Sequence, residues 1–441
     1  MYSVFCQCCE SVINYERKIY ALVKNKLSRN RKFPFEDIVN YTIANRGKTN
    51  VLEAEDFAYE KYGDWNMVVS KQDISQQRMN LNPIIFKDMN TDSLKQIYDS
   101  NESSLKKFKG HYVCGIDGSI LELPNHKITK IEFDVPPDSL TYTQPSRARV
   151  SGFLDLKNEF MLDSIIETTK IGERRLALEN INNVSNIIDL SQAICIFDRG
   201  YPSIELFLTL MEKNAKFIVR LKSTDYEKQR AKMKKDDEWI KIPLNKTKTN
   251  KIKNSELRKK AEKKTHLKSR VVNVVLDNGE VETLITNLPK KVANQAELKM
   301  LYNERWKIET DFDVLKNKLD IENFSGIKRV IIEQDFYSQI FMHNLLNEYR
   351  IEINKKIKED KEKEGVEKEY KTNVSHLAGR LKNNLLKILY ADTEEEKRKI
   401  NDYILKRAEK NLIPIKKKKP SPSRGKNKKR NKNPPNLRKN F

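Results

Sequence analysis

The chain has 441 residues, 38% hydrophobic and 33% charged, which is enough for two or three domains with buried cores. Its net charge of +23 is concentrated: residues 416–441 carry twelve Lys or Arg and no acid, residues 222–270 carry eighteen bases against seven acids, and these two segments account for the whole excess. That pattern points to a polyanion, nucleic acid before a membrane surface, and since no apolar run nears the ~20 residues of a spanning helix and no signal peptide is found, the expected location is the cytoplasm.

Cys6, Cys8 and Cys9 open the chain, with Cys114 and Cys195 in later apolar runs. An odd, irregular set is no disulfide framework, and without a nearby His or a second Cys pair the cluster reads as free thiols before zinc ligands. Residues 11 to about 105 show helical three- and four-residue spacing, which predicts a helical N-terminal domain over 1–108 with a possible role in DNA end binding. Within it, Val69 to Met79 reads as plain scaffold or as the second helix of a helix-turn-helix.

From about residue 112 the period changes to two. Val113–Leu123, Ala148–Leu156 and Glu159–Ile166 read as an antiparallel strand group, the last two joined by a tight Lys157-Asn158 turn. A helix from Gly172 to Asn182, the all-apolar strand Ala193–Phe197, a helix from Pro202 to Lys213 and the strand Lys216–Leu221 add a parallel crossover. The sum is a mixed α/β sheet with helices on both faces, spanning 109–221 and 293–350.

Residues 222–292 interrupt this as a basic, β-rich insertion, with a hairpin turn at Asp277-Asn278-Gly279. Gln295–Leu319 reads as one long helix and Gln334–Arg350 as another. Residues 351–415 form a helical C-terminal region, in which Lys355–Lys371 is a solvated helix or a coil. The basic run 416–441, rich in Pro, Ser and Asn, is expected to be a disordered arm.

Three places carry candidate chemistry. Asp117 sits in an apolar strand beside Gly118 and needs a partner or a cation, although a strand-edge Asp near a glycine turn is the plainer reading. Asp198 follows the buried strand 193–197 at its carboxyl end, where α/β sheets form sites, but it is equally placed to cap the next helix. In the helix Tyr302–Lys316, spacings of three, four and seven align Tyr302, Arg305, Glu309 and Lys316 on one stripe, suited to a metal and phosphates or to an exposed ion-pair ladder. Trp306, Phe312, Leu315 and Leu319 would pack inward.

Tyr302-x2-Arg305-x3-Glu309-x6-Lys316 matches the Y-R-E-K signature of the insertion-sequence-four group of DDE transposases, and Asp117-Gly118-Ser119 and Asp198-Arg199-Gly200-Tyr201 resemble its other two motif regions, over about residues 30–350. The resemblance implies a ribonuclease-H-like core with the β-rich insertion between the second Asp and the Glu. It implies that Asp117, Asp198 and Glu309 hold two Mg²⁺ ions, with Mn²⁺ able to substitute, as hard carboxylate oxygens favour. It further implies DNA as partner, both terminal inverted repeats and target, a homodimer on paired ends, and phosphate grips at Tyr302, Arg305 and Lys316. Arg199 is a further DNA-contact candidate. Trp239 in the insertion reads as a packed core residue or as a ring that stacks on a flipped base. The rival readings are a silent DNA-binding derivative, a general basic nucleic-acid-binding or structural protein for which the tail alone would suffice, and a nuclease of the same fold that cuts without joining.

Overall fold

The computed structural model describes residues 3–23, 26–27, 33–45, 47–64, 70–100, 102–133, 146–276, 279–363 and 369–415. The basic arm 416–441, the Asp277-Asn278 half of the expected hairpin turn and Val69 at the start of the possible second helix lie outside these residues.

Helices α1 (Val4–Glu10), α2 (Phe35–Ile43), α3 (Asn50–Tyr62), α4 (Lys71–Arg78) and α5 (Ile84–Ser100) precede strand β1 (Tyr112–Glu122). After α6 (Lys127–Glu132) come β2 (Arg147–Asp155), β3 (Met161–Thr168), α7 (Glu173–Val184), β4 (Ala193–Phe197), α8 (Ile204–Glu212) and β5 (Lys216–Arg220). The next stretch holds α9 (Glu227–Arg230), β6 (Asp237–Pro243), α10 (Lys246–Thr249), α11 (Ser255–Glu262), β7 (His266–Val275) and β8 (Val281–Thr286). The chain continues through α12 (Gln295–Asn303), α13 (Trp306–Asn317), α14 (Arg329–Lys363), β9 (Tyr370–Thr372), α15 (Val374–Leu389), α16 (Glu394–Glu409) and β10 (Leu412–Pro414).

The described residues divide into two compact units, one drawn from Met1–Ser93, Leu121–Ala148 and Asp313–Phe441, the other from Leu94–Ile120 and Arg149–Phe312. In the first, α14 presents Ile332, Phe336, Ile340, Phe341 and Leu345 to a buried core. Phe341 meets Phe5 of α1 edge to face at 5.0 Å. Arg78, the last residue of α4, is buried and satisfied by Gln334 (2.9 Å), Asp335 (2.7 Å) and Ser325 (2.6 Å), as a buried guanidinium must be. The charged run after Lys355 begins as a continuation of α14.

The second unit carries most of an eight-stranded sheet in the order β3-β2-β1-β4-β5-β8-β7-β6. Strand β4, Ala-Ile-Cys-Ile-Phe, is apolar on both faces and wholly buried, which suits the middle of a covered sheet. It pairs in parallel with β1 (Ile116 opposite Phe197) and with β5 (Phe197 opposite Val219). Helix α8 covers β5, with Phe207 stacked on Phe217 at 4.9 Å. Asp155 N–H bonds the Phe160 carbonyl, so β2 and β3 are joined by a five-residue loop with Glu159 at φ 61°, not by a two-residue turn. The buried Asp155 carboxylate causes this: it accepts from the backbone N–H groups of Lys157 and Asn158 and from Tyr98 Oη at 2.7 Å.

Two further expectations change. Strands β6, β7 and β8 of the 222–292 segment form no sheet of their own: β8 pairs antiparallel with β5 and extends the main sheet. The single helix expected over Gln295–Leu319 is broken. α12 starts at an Asn294–Glu297 capping box and ends at Asn303, and tight turns, Glu304 N–H to the Leu301 carbonyl and Arg305 N–H to the Tyr302 carbonyl, reset the register before α13. Trp306 is therefore 49% exposed instead of packed inward, while Phe312, Leu315 and Leu319 are buried as their spacing predicts.

Arg270 of β7 locks this arrangement. Fully buried, it makes a two-pronged pair with Asp237 of β6 (2.7 and 2.8 Å) and donates to the carbonyls of Leu288 (3.1 Å) and Ala293 (2.7 Å), just ahead of α12. Burial alone would raise the Asp237 pKa, but Arg270 and then Lys290 outweigh it and hold the carboxyl below its ordinary value. Arg270→Ala leaves Asp237 without its main partner and is expected to destabilise the protein by about 3–5 kcal/mol in urea titrations. A wild-type midpoint would contradict this. Because the folded pKa of Asp237 is depressed, the stability from this pair is fully present above the ordinary carboxylate range and is lost as pH falls through the folded value.

Candidate active site

The register of two parallel strands brings the aspartates together. Ile116 and Phe197 are the last paired residues of β1 and β4, so Asp117 and Asp198 follow side by side on neighbouring strands, about 4.8 Å apart in backbone spacing. This is the carboxyl end of β4, where the strand stops and β1 runs on. Asp198 is free to face the site because the cap of α8 is Ser203, whose hydroxyl accepts from Leu206 N–H at 3.2 Å.

Glu309 comes from the first turn of α13 and Arg305 from the break before it. Arg305 Nη1 donates to Glu309 Oε1 at 2.7 Å and reaches Asp117 Oδ2 at 3.5 Å. Tyr302 Oη donates to Asp198 Oδ1 at 3.2 Å. One short stretch of helix and turn thus contacts both aspartates. Lys316 lies two turns further along α13, in the other compact unit, 3.8 Å from Glu322.

Burial first, and the closeness of the acids second, set the electrostatics. Burial, with the charges of Glu309 and Asp198, pushes the Asp117 carboxyl up to about 6 against the opposing Gly118 N–H bond and Arg305 charge. Burial likewise raises the Tyr302 hydroxyl, and Asp198 and Glu282 add to that while Arg305 opposes it. Burial alone would lower the Arg305 pKa, but Tyr302, Glu309 and Asp198 outweigh it and hold the guanidinium firmly charged.

Several neighbours escaped the sequence reading. Glu173, first residue of α7, pairs with Arg149 of β2 at 2.5 Å. A Cβ at Gly118 would lie 3.1 Å from Glu173 Cγ and 3.3 Å from the Val150 carbonyl oxygen, so glycine there permits the close approach of α7. Arg174 Nε donates to the Gly200 carbonyl at 2.8 Å, tying α7 to the Asp198 loop. The Tyr201 hydroxyl is buried with no hydrogen-bond partner among the described residues, and its neighbours include Asp117, Glu173 and Arg149. Glu282 of β8 pairs with Arg220 of β5 at 2.9 Å. The only sequence trace of that pair is a charge at the end of one apolar strand and near the start of another.

The remaining candidates fall elsewhere. Arg199 is exposed next to Asp198. Trp239 is not a packed core residue: it lies on β6 at the end of the sheet order, 40% exposed, with Lys268 Nζ 5.4 Å from its ring centre. Cys6, Cys8 and Cys9 are free and buried in or beside α1, and burial pushes the Cys6 thiol up to about 12, the protonated state of a packing residue.

Among the described residues no group of three or more His, Cys, Asp or Glu is drawn together as a metal-binding cluster. At this site the guanidinium of Arg305 takes a cation's part, bonded to two of the acids, while the third bonds Tyr302, whose ring lies 5.8 Å from it. Hard oxygen donors around a resident positive charge are a donor set that suits a hard divalent cation. No described helix is long and apolar enough to cross a membrane.

Among curated proteins no significant match is found. A family model described as "Transposase DDE domain" matches residues 109–345, more than half of the chain and the whole span from β1 through Asp117, Asp198, Tyr302, Arg305, Glu309 and Lys316 into α14. With two aspartates side by side on neighbouring strands and a glutamate joined to one of them through a single arginine, the match has its counterpart in the geometry, and the chain belongs to the DDE-domain transposases.

Proposed function

We propose that the protein is a cut-and-paste transposase of the insertion-sequence-four group, with Asp117, Asp198 and Glu309 as its catalytic acids. The observation that carries this reading is the single arginine bonded to both Glu309 and Asp117, beside an Asp198 that accepts from Tyr302. Three of the four Y-R-E-K residues thereby meet both aspartates. The strand order β3-β2-β1-β4-β5, with β4 and β5 parallel to β1, supports a ribonuclease-H-like core.

The three carboxylates would hold two Mg²⁺ ions, for which Mn²⁺ can substitute, and these would supply positive charge at the reacting phosphate oxygens. The chain's own residues do the rest. Tyr302, Arg305 and Lys316 grip phosphates beside the cut, Arg305 through its two-pronged fork and Lys316 as a point charge on the Glu309 face of α13. Arg199 and the half-exposed Trp239 are further contacts for DNA.

Each chemical step is a substitution at phosphorus. Water attacks the transposon end and frees a 3′-hydroxyl. That hydroxyl attacks the opposite strand to give a hairpin and, once the hairpin is opened, attacks target DNA. Paired ends call for a homodimer, and residues 1–108 are assigned to end binding.

Purified protein incubated with Mg²⁺, a pre-cut end and plasmid tests the reading, since only a transposase forms strand-transfer product and a simple nuclease leaves cut DNA alone. Asp117→Asn, Asp198→Asn and Glu309→Gln are each expected to lower joining by roughly 10³-fold, about 4 kcal/mol of barrier. Duplex binding should persist, and joining at wild-type rate in any of the three would refute its assignment. Lys316→Ala should weaken duplex binding several-fold at every sequence and reduce the salt dependence of log affinity by about one unit of slope. An unchanged slope in anisotropy titrations would remove Lys316 from the phosphate contacts.

A further inference from the structure

Arg305 is held in an unusual way for a residue assigned to grip DNA. Its side chain is 4% exposed, and its guanidinium carbon lies 4.9 Å from the centre of the Trp306 ring and 5.8 Å from that of Tyr302. Nη1 faces Glu309 and Asp117, and Asp198 adds its attraction from further off. The Nε–H is buried and has no acceptor among the described residues. With Nη1 held by the acids and Nε–H buried, the guanidinium in this state offers no two-pronged edge to a phosphate. It instead neutralises acids whose mutual repulsion would otherwise be uncompensated in a partly buried site.

We propose that Arg305 is the resident counter-cation of the three acids, and that divalent metal evicts its guanidinium and hands it to DNA, so that metal and phosphate binding are positively coupled through this one side chain. The inference rests on the reading of Asp117, Asp198 and Glu309 as metal ligands. Two cations cannot use the same carboxylate oxygens without strong repulsion, so the incoming ion must displace the arginine. The displaced fork has the geometry that matches a phosphate, and the helix break between α12 and α13 places it where the backbone is not held by a continuous helical ladder. The signal for this residue is thus opposite to that of a plain DNA contact: without Arg305 the acids should take up metal more readily, while DNA should be held less well.

Coupling of this kind is reciprocal and typically amounts to about 5–150-fold in affinity. The test uses the full chain, calorimetric titration with Mn²⁺ in the absence of DNA, and a fluorescein-labelled generic duplex titrated with and without Mn²⁺. Asp117→Asn is expected to lose Mn²⁺ binding. Arg305→Ala is expected to bind Mn²⁺ about tenfold more tightly than wild type, and the gain in duplex affinity that Mn²⁺ gives the wild type should shrink. If Asp117→Asn loses the ion but Arg305→Ala binds it no better than wild type, the counter-cation role is overturned and the metal site stands. If Asp117→Asn binds Mn²⁺ like wild type, the metal site falls and the inference with it. Should Arg305→Ala not fold by circular dichroism, the wild type decides. Mg²⁺ should change the part of the tryptophan emission that is missing in Trp306→Phe, because the guanidinium leaves that ring. Emission unchanged at saturating Mg²⁺ overturns the proposal.

Discussion

The parallel pairing that sets Ile116 opposite Phe197 decides where both aspartates stand. Because β4 ends at Phe197 while β1 continues, the next residue on each strand leaves the covered interior together, at the carboxyl edge of the sheet. A slip of one residue would turn Asp117 to the other face and break the site. Every residue of β4 and those of β1 before Asp117 are enclosed, so the two acids are the first polar side chains after a covered apolar run on each strand. The other parts of the site are devices that bring a third acid and its cation to that edge.

Bringing acids together is unfavourable, and the surroundings of the two aspartates show how it is offset. Arg305 stands between Asp117 and Glu309, Tyr302 donates to Asp198, and Gly118 N–H donates to Asp117 at 2.8 Å. A further ring of ion pairs, Arg149 with Glu173 and Arg220 with Glu282, surrounds this centre with compensated charge. A group of acids gathered in a partly buried place needs such compensation, and a carboxyl raised as that of Asp117 is marks a candidate functional site.

Much of this was legible in the sequence, for local reasons. The apolar run Ala193–Phe197 with an acid directly after it announces a central strand and a residue at its end, and the Y-R-E-K residues are recognised by identity and spacing within one short stretch of chain, which the helix break does not alter. Pairing between distant segments was not legible. Nothing in Val281–Thr286 tells that it lies beside β5, so residues 222–292 read as a β-rich insertion whose place in the main sheet was not visible. Arg270 read as one more base in a charged run, although it is fully buried against Asp237 and two carbonyls. The break at Glu304-Arg305 has no proline or glycine to mark it, and it overturned the inward placement of Trp306. Glu173 escaped for a similar reason: its importance comes from the bare glycine opposite it, a contact that spacing along the chain does not encode.

That three carboxylates distant in sequence serve one pair of divalent ions is the claim most exposed to direct measurement. Crystals of the protein with a DNA end and Mn²⁺ locate the ions by anomalous scattering. Manganese flanked by the carboxylates of Asp117, Asp198 and Glu309, with the Arg305 guanidinium moved onto a phosphate, is the expected result. Manganese bound elsewhere, with Glu309 turned away from the two aspartates in the DNA-bound state, would contradict it.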